Sequence, residues 1–184
     1  MLDPPHTIIT AVAGAPGVGK STFIRTLGVP VTDAVFFPET RFRDPASLRR
    51  IGVADMGVID VDSCAAVYLC EIPFFGLPDA VYPGLASFVD NYVVIFDSTR
   101  PESCWKTRQI LDFVESVPRS APRIVVANKQ DVADALSPRD VGYILALDEG
   151  GDVPVLPCVA TQRADVKRVL LELFRRFATA GDAA

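Results

Sequence analysis

Gly14-Ala15-Pro16-Gly17-Val18-Gly19-Lys20-Ser21 reads G-x-x-x-x-G-K-S. The apolar run Thr7-Ile8-Ile9-Thr10-Ala11-Val12-Ala13 precedes it, and an apolar-periodic segment follows. That context decides the fold class, because a strand must deliver such a loop and a helix must leave it. Gly14 and Gly19 can adopt backbone angles that a Cβ resists, so successive N–H groups can turn inward. A helix starting near Lys20 adds the positive end of its dipole and its unpaired N–H groups. The pattern is that of a phosphate cradle running from Gly14 to Thr22. In it Lys20 reaches the outer phosphates and the Ser21 hydroxyl ligates Mg²⁺.

Outward from this loop, Thr7–Ala13 reads as a strand buried on both faces. Ser21–Leu27 reads as a helix stopped by Gly28 and Pro30. Residues 29–50 read as a long loop, given its polarity and breakers from Pro38 to Pro45. Ile51–Val61 and Ala65–Cys70 read as strands, paired antiparallel through the turn Asp62-Ser63. Ile72–Gly84 reads as irregular and Leu85–Asp90 as a short helix. Tyr92–Phe96 is an apolar strand ending at Asp97-Ser98, and Ile124–Ala127 and Val153–Val159 are the last two strands. Helices are expected over Glu102–Val117, with Trp105, Ile110, Leu111, Phe113 and Val114 on the apolar face, and over Pro138–Leu147, capped by Ser137. A final helix over Val166–Thr179, capped by Asp165, carries the stripe Val166, Val169, Leu170, Leu173, Phe174 and Phe177. Strands alternating with helices predict an α/β fold, a largely parallel sheet with helices on both faces. Residues 7–179 make one domain, with tails at 1–6 and 180–184.

Composition narrows the function. The net charge is −5 and no Lys/Arg cluster overrides it, which argues against a nucleic-acid partner. His6 is the only histidine, so His-based catalysis and most transition-metal sites are nearly excluded. Cys64, Cys70, Cys104 and Cys158 match no zinc spacing and read as buried or semi-buried thiols of a reducing cytoplasm. No apolar run approaches the roughly 20 residues of a membrane span.

The second chemical signal is Asn128-Lys129-Gln130-Asp131, N-K-x-D, directly after the strand Ile124–Ala127. In a doubly wound sheet, loops at strand C-termini line one crevice, so this loop and Gly14–Ser21 can face one ligand. The Asp131 carboxylate can accept hydrogen bonds from the N1–H and the exocyclic amine of guanine. Adenine offers no such donor pair, and a carboxylate left unpaired is costly.

These two stretches resemble the Ras-like small GTPases of the P-loop superfamily, over nearly the whole chain. Within it the chain looks most like the bacterial branch of gliding-motility polarity GTPases and GTPases of actinobacterial regulatory operons. The resemblance implies a three-layer P-loop NTPase fold around a six-stranded, mostly parallel sheet with one antiparallel strand. It implies GTP or GDP with Mg²⁺ as ligands. Asn128 and Asp131 would hold the guanine, and Lys129 would pack against the Gly14–Ser21 loop. The backbone N–H of Ala160, followed by Thr161, would contact the guanine carbonyl. It also implies a protein partner at the switch loops, of the roadblock type.

The departures carry as much information. The family pattern Asp-x-x-Gly after the third strand is here Glu71-Ile72-Pro73-Phe74-Phe75-Gly76. Glu71 can replace the Asp of the magnesium shell with a carboxylate one methylene longer. Phe74 falls where Gly is expected, and Phe75 cannot orient a water by hydrogen bonding. Ile51-Gly52 stands where the branch often has a sensing Thr, with Thr40 earlier in the long loop as a substitute. That loop also carries Arg41, Arg43, Arg49 and Arg50, and Arg41 is a candidate arginine finger in cis, solvated loop arginines being the plainer alternative. Phe36-Phe37 and Phe74-Phe75 place paired aromatics in both presumed switch loops, a candidate partner surface.

Three functions compete on this sequence. The first is a small guanine-nucleotide switch with weak or partner-dependent hydrolysis, using Lys20 in catalysis and Ser21 and Glu71 on the metal. The second is a non-hydrolysing pseudo-GTPase that serves as an interaction scaffold. The third, an ATP-using P-loop kinase, lacks a lid-like insertion.

Overall fold

The computed structural model describes residues 6–29, 31–38, 48–62, 65–72, 89–116, 121–148 and 151–181. The strands are β1 (His6–Ala13), β2 (Val31–Pro38), β3 (Leu48–Asp62), β4 (Ala65–Glu71), β5 (Asn91–Asp97), β6 (Arg123–Asn128) and β7 (Val155–Pro157). The helices are α1 (Lys20–Arg25), α2 (Cys104–Ser116, entered through a 3-10 turn at Pro101–Ser103), α3 (Pro138–Ile144) and α4 (Arg163–Gly181). The strands form one seven-stranded sheet in the order β2-β3-β4-β1-β5-β6-β7. β3 runs antiparallel to both its neighbours, and every other adjacent pair is parallel.

The sheet is therefore α/β and mostly parallel with one antiparallel strand, as expected, but it has seven strands rather than six. The additional strand, β2, lies inside the expected loop of residues 29–50. Val31, Thr32, Val35, Phe36 and Phe37 are β-branched or aromatic and suit a pleated ladder, and the breakers accumulate only from Pro38 onward. Pro38 closes the strand at the sheet's edge, where a missing N–H is tolerated. Phe36 and Phe37 are thus strand residues, in register with Arg50 and Arg49 rather than in a loop. The 15-residue β3 pairs with β2 over Leu48–Gly57 and with β4 over Met56–Asp62. Its first half consequently runs past the C-terminal end of β4 as a two-stranded ribbon with β2.

Both faces of the sheet are covered, which is why β5 is buried at every position. On one face Ala11, Ala13, Tyr92, Val94, Phe96, Val125 and Ala127 pack with Ile110, Leu111 and Val114 of α2 and Val141 of α3. On the other, Val12, Leu69, Val93, Ile95, Ile124 and Val126 pack with Phe23 and Ile24 of α1 and the Val166–Leu173 stripe of α4. Gly57 lets α1 approach β3, since a Cβ there would lie 2.8 Å from the Ile24 side chain.

Two helix details differ from expectation. Trp105 is 54% exposed, with the Lys106 ammonium 5.3 Å from its ring. The buried stripe of α2 is Thr107, Ile110, Leu111 and Val114, and a residue two before Thr107 points about 200° away. Asp165 lies inside the first turn of α4, and its carboxylate accepts the Val159 N–H at 2.9 Å instead of capping. Ser137 does cap α3, accepting the Asp140 N–H at 3.2 Å. Cys158 is buried and Cys70 and Cys104 are half-buried, all as free thiols; burial pushes the Cys158 thiol up to about 12. Among the described residues no helix is long and apolar enough to cross a membrane. Thr40, Arg41, Arg43, Cys64, Phe74, Phe75, Gly76 and most of the helix expected over Leu85–Asp90 lie outside the described residues.

Candidate functional site

Because β1, β4, β5, β6 and β7 are parallel, their C-terminal ends share one edge of the sheet. That edge collects the Gly14–Gly19 loop, Glu71, Asp97, the Asn128–Asp131 turn and the Cys158–Gln162 turn. The loop has positive φ at Gly14 (151°), Gly17 (80°) and Gly19 (105°). At two of these the fold also leaves no room. A Cβ on Gly14 would lie 2.5 Å from the Ile95 carbonyl oxygen, and one on Gly19 would lie 2.5 Å from Asn128 Nδ2. Ala15 and Val18 anchor the loop in the core, while Pro16 and Gly17 are exposed at its crest.

Lys20 is only 7% exposed. Its ammonium donates to the Gly14 carbonyl at 3.1 Å and the Ala15 carbonyl at 3.2 Å, and lies 3.5 Å from Glu71 Oε1. A buried cation must find such partners. The Ser21 hydroxyl donates to Glu71 Oε2 at 2.7 Å. Thr22 follows as an exposed residue of α1. The two residues named as magnesium ligands thus lie side by side, as β4 is hydrogen-bonded alongside β1 and ends at Glu71. Two hard oxygen donors side by side fit Mg²⁺, which takes one or two carboxylates and completes its shell with phosphate and water. Among the described residues no group of three or more His, Cys, Asp or Glu could hold a metal by itself.

Asn128 ties three segments together from a position 2% exposed. Its Nδ2 donates to the Val18 carbonyl at 2.8 Å, and its Oδ1 accepts the Ala160 N–H at 2.9 Å. The backbone closes the same corner, with Gln130 N–H on the Cys158 carbonyl and Cys158 N–H on the Ala127 carbonyl. Asp131 is exposed at the rim, and so is Thr161.

Two expectations change here. Lys129 places its ammonium on Asp97 Oδ2, at 2.6 Å, and the hydrogen bond to the Gly14–Ser21 loop comes from Asn128 instead. The cause is the register: Asp97 ends β5 directly beside Asn128, and a carboxylate this buried needs a cation. Likewise, the Ala160 N–H is engaged by Asn128, which leaves the exposed Thr161 as the next residue on that rim.

Asp97 is the site residue that sequence reasoning missed. It is 1% exposed, and its Oδ1 accepts the Thr99 N–H at 3.0 Å and the Thr99 hydroxyl at 2.7 Å. Burial pushes its carboxyl up, but the hydrogen bonds from Lys129 and Thr99 and the Lys129 charge outweigh this and hold it below the ordinary 3.8. Its folded-state value is depressed, so its contribution to stability is present above the unfolded value and is lost as pH falls through the folded one. The available signal was Asp97-Ser98-Thr99 ending a wholly apolar strand, an Asx-turn pattern at a strand C-terminus.

No family model matches this chain, and neither does any curated protein.

Proposed function

We propose that the chain is a guanine-nucleotide-binding protein of the Ras-like P-loop type, a regulatory switch whose hydrolysis is weak or depends on a protein partner. The observation that carries this is Asn128, whose side chain joins Val18 of the glycine loop to Ala160 across the N-K-x-D turn. A ligand held by both loops would have phosphates at one and a base at the other. Lys20 would leave the Gly14 and Ala15 carbonyls for the outer phosphates. Ser21 and Glu71 would hold Mg²⁺, which when bound supplies charge neutralisation to the phosphate oxygens. Asn128 Nδ2 keeps one N–H beyond the bond to Val18, available for a purine ring nitrogen. The Asp131 carboxylate would accept from the guanine N1–H and amine, with the Thr161 backbone near the guanine carbonyl. The cytoplasm is the compartment this reading assigns.

A titration with labelled GDP, GTP and ATP, with and without Mg²⁺, tests the proposal. GDP and GTP are expected to bind and ATP to fail as a competitor; competition by ATP alone would return the kinase reading. Asp131→Asn is expected to weaken GDP about 100-fold, two charge-assisted bonds at roughly 1.5 kcal/mol each. The same variant should gain affinity for xanthosine diphosphate, in which a carbonyl acceptor replaces the guanine amine at that edge and can take a hydrogen bond from the Asn amide. Unchanged GDP affinity would remove Asp131 from the base site.

The scaffold alternative draws on Glu71-Ile72-Pro73-Phe74-Phe75, which offers no side chain after Glu71 that could orient a water. Equal affinity for GDP and a non-hydrolysable GTP analogue would favour it, because a ligand without differential affinity shifts no equilibrium.

A further inference from the structure

Two turns at the candidate base site are interlocked. The Ser98 N–H donates to the Asn128 carbonyl at 3.2 Å, and the Leu136 N–H donates to the Ser98 carbonyl at 2.9 Å. Gln130 Nε2 donates to Ser98 Oγ at 3.0 Å and to the Leu136 carbonyl at 2.9 Å. Between these lies Lys129, at φ 66°, a left-handed conformation that a residue with a Cβ resists. Its ammonium ends on Asp97 Oδ2 at 2.6 Å, while Asp97 Oδ1 is taken by Thr99 of its own turn. Arg100, the other cation nearby, is largely exposed and 3.9 Å from Oδ2, so Lys129 is the partner that fixes the carboxylate.

We propose that Asp97 is a positioning residue for base discrimination: by anchoring Lys129 it holds the left-handed kink from which Gln130 turns inward and Asp131 stays at the rim. The proposal rests on the guanine-nucleotide reading above and adds to it. Asp97 touches no ligand atom, and it acts through Lys129 on the placement of Asp131. The Lys129 charge is engaged by Asp97, so among the described residues Lys20 is the cation placed at the phosphate end. Loss of Asp97 should therefore relax the choice of base more than the hold on the phosphates.

The experiment compares affinities for GDP and inosine diphosphate, which differ only in the exocyclic amine that Asp131 would accept from. Wild type is expected to prefer GDP. In Asp97→Asn and, separately, Lys129→Met, the GDP-to-IDP ratio should fall about tenfold, with a smaller loss for IDP itself. The double variant should fall no further than either single one, since both remove one tie. Asp97→Glu, which keeps the charge, should recover part of the ratio, a rescue that general loosening of the fold would not give. Lys129→Met keeps the test decisive if Asp97→Asn folds poorly. Equal losses for both nucleotides, or a retained ratio in Lys129→Met, overturn the role of Asp97 while leaving the guanine reading intact. A wild-type protein that does not distinguish the two nucleotides overturns the assignment of Asp131, and the Asp97 proposal falls with it.

Discussion

Asn128→Ala is expected to lower stability by about 3 kcal/mol and to abolish nucleotide binding. The truncation leaves the Val18 carbonyl and the Ala160 N–H without their partner in a buried corner. Each unsatisfied group costs roughly 1–3 kcal/mol, and the void left beside Gly19 adds to it. For a domain of this size, about 3 kcal/mol corresponds to a fall in Tm of roughly 10 °C. Binding should fail at temperatures where the variant is still folded, because the glycine loop and the Ala160 turn lose their common strut. Asn128→Asp separates the two bonds: it retains an acceptor for Ala160 and sets a carboxylate against the Val18 carbonyl, so it should be no better than alanine. Thermal melts and a GDP titration on the same samples check both. A Tm within about 2 °C of wild type would mean that the two bonds carry little of the site's stability.

The parts of this molecule that were legible in its sequence are those decided within one turn or one strand. Gly14–Ser21 is such a case, since the positive φ values and the close approaches to Ile95 and Asn128 leave glycine as the residue that fits. The apolar Tyr92–Phe96 run and the Ser137 cap are others. Glu71 is assigned to the same metal as Ser21 through the resemblance, as the carboxylate standing where the family pattern has Asp. What stayed illegible depends on registers between distant segments. The Asp97–Lys129 pair spans 32 residues and exists because β5 and β6 align Asp97 with Asn128. The engagement of the Ala160 N–H by Asn128 has the same origin. β2 was obscured differently: its strand-forming residues run straight into Pro38 and the polar stretch beyond it, and only pairing with β3 decides where the ladder stops. Trp105 is grouped with the apolar face in the sequence reading, but the helical period places it on the opposite side from the buried Thr107 and Ile110.

Glu71 should make nucleotide binding depend steeply on Mg²⁺, and Glu71→Gln should flatten that dependence. In the protein alone, Glu71 is shared between the Ser21 hydroxyl at 2.7 Å and the Lys20 ammonium at 3.5 Å. A phosphate arriving at Lys20 without a metal would meet this carboxylate, itself 3.5 Å from the same ammonium, at a separation on the order of 5 Å. At an effective dielectric constant of about 20, two unit charges at that distance repel by roughly 3 kcal/mol, about a 100-fold loss of affinity. A divalent cation held by Ser21 and Glu71 would neutralise the carboxylate and reverse the sign of that interaction. Glu71→Gln removes the charge and keeps a side chain that can still bond to Ser21. It is expected to raise GDP affinity in EDTA by about tenfold or more, to lower it in millimolar Mg²⁺, and so to bring the two conditions together. Glu71→Asp keeps the charge one methylene further back and should preserve the Mg²⁺ dependence at reduced strength. Fluorescence titration of labelled GDP under both conditions reads these changes directly. If Glu71→Gln weakens GDP equally with and without Mg²⁺, Glu71 only braces Lys20 and Ser21, and the metal must be sought on other oxygens.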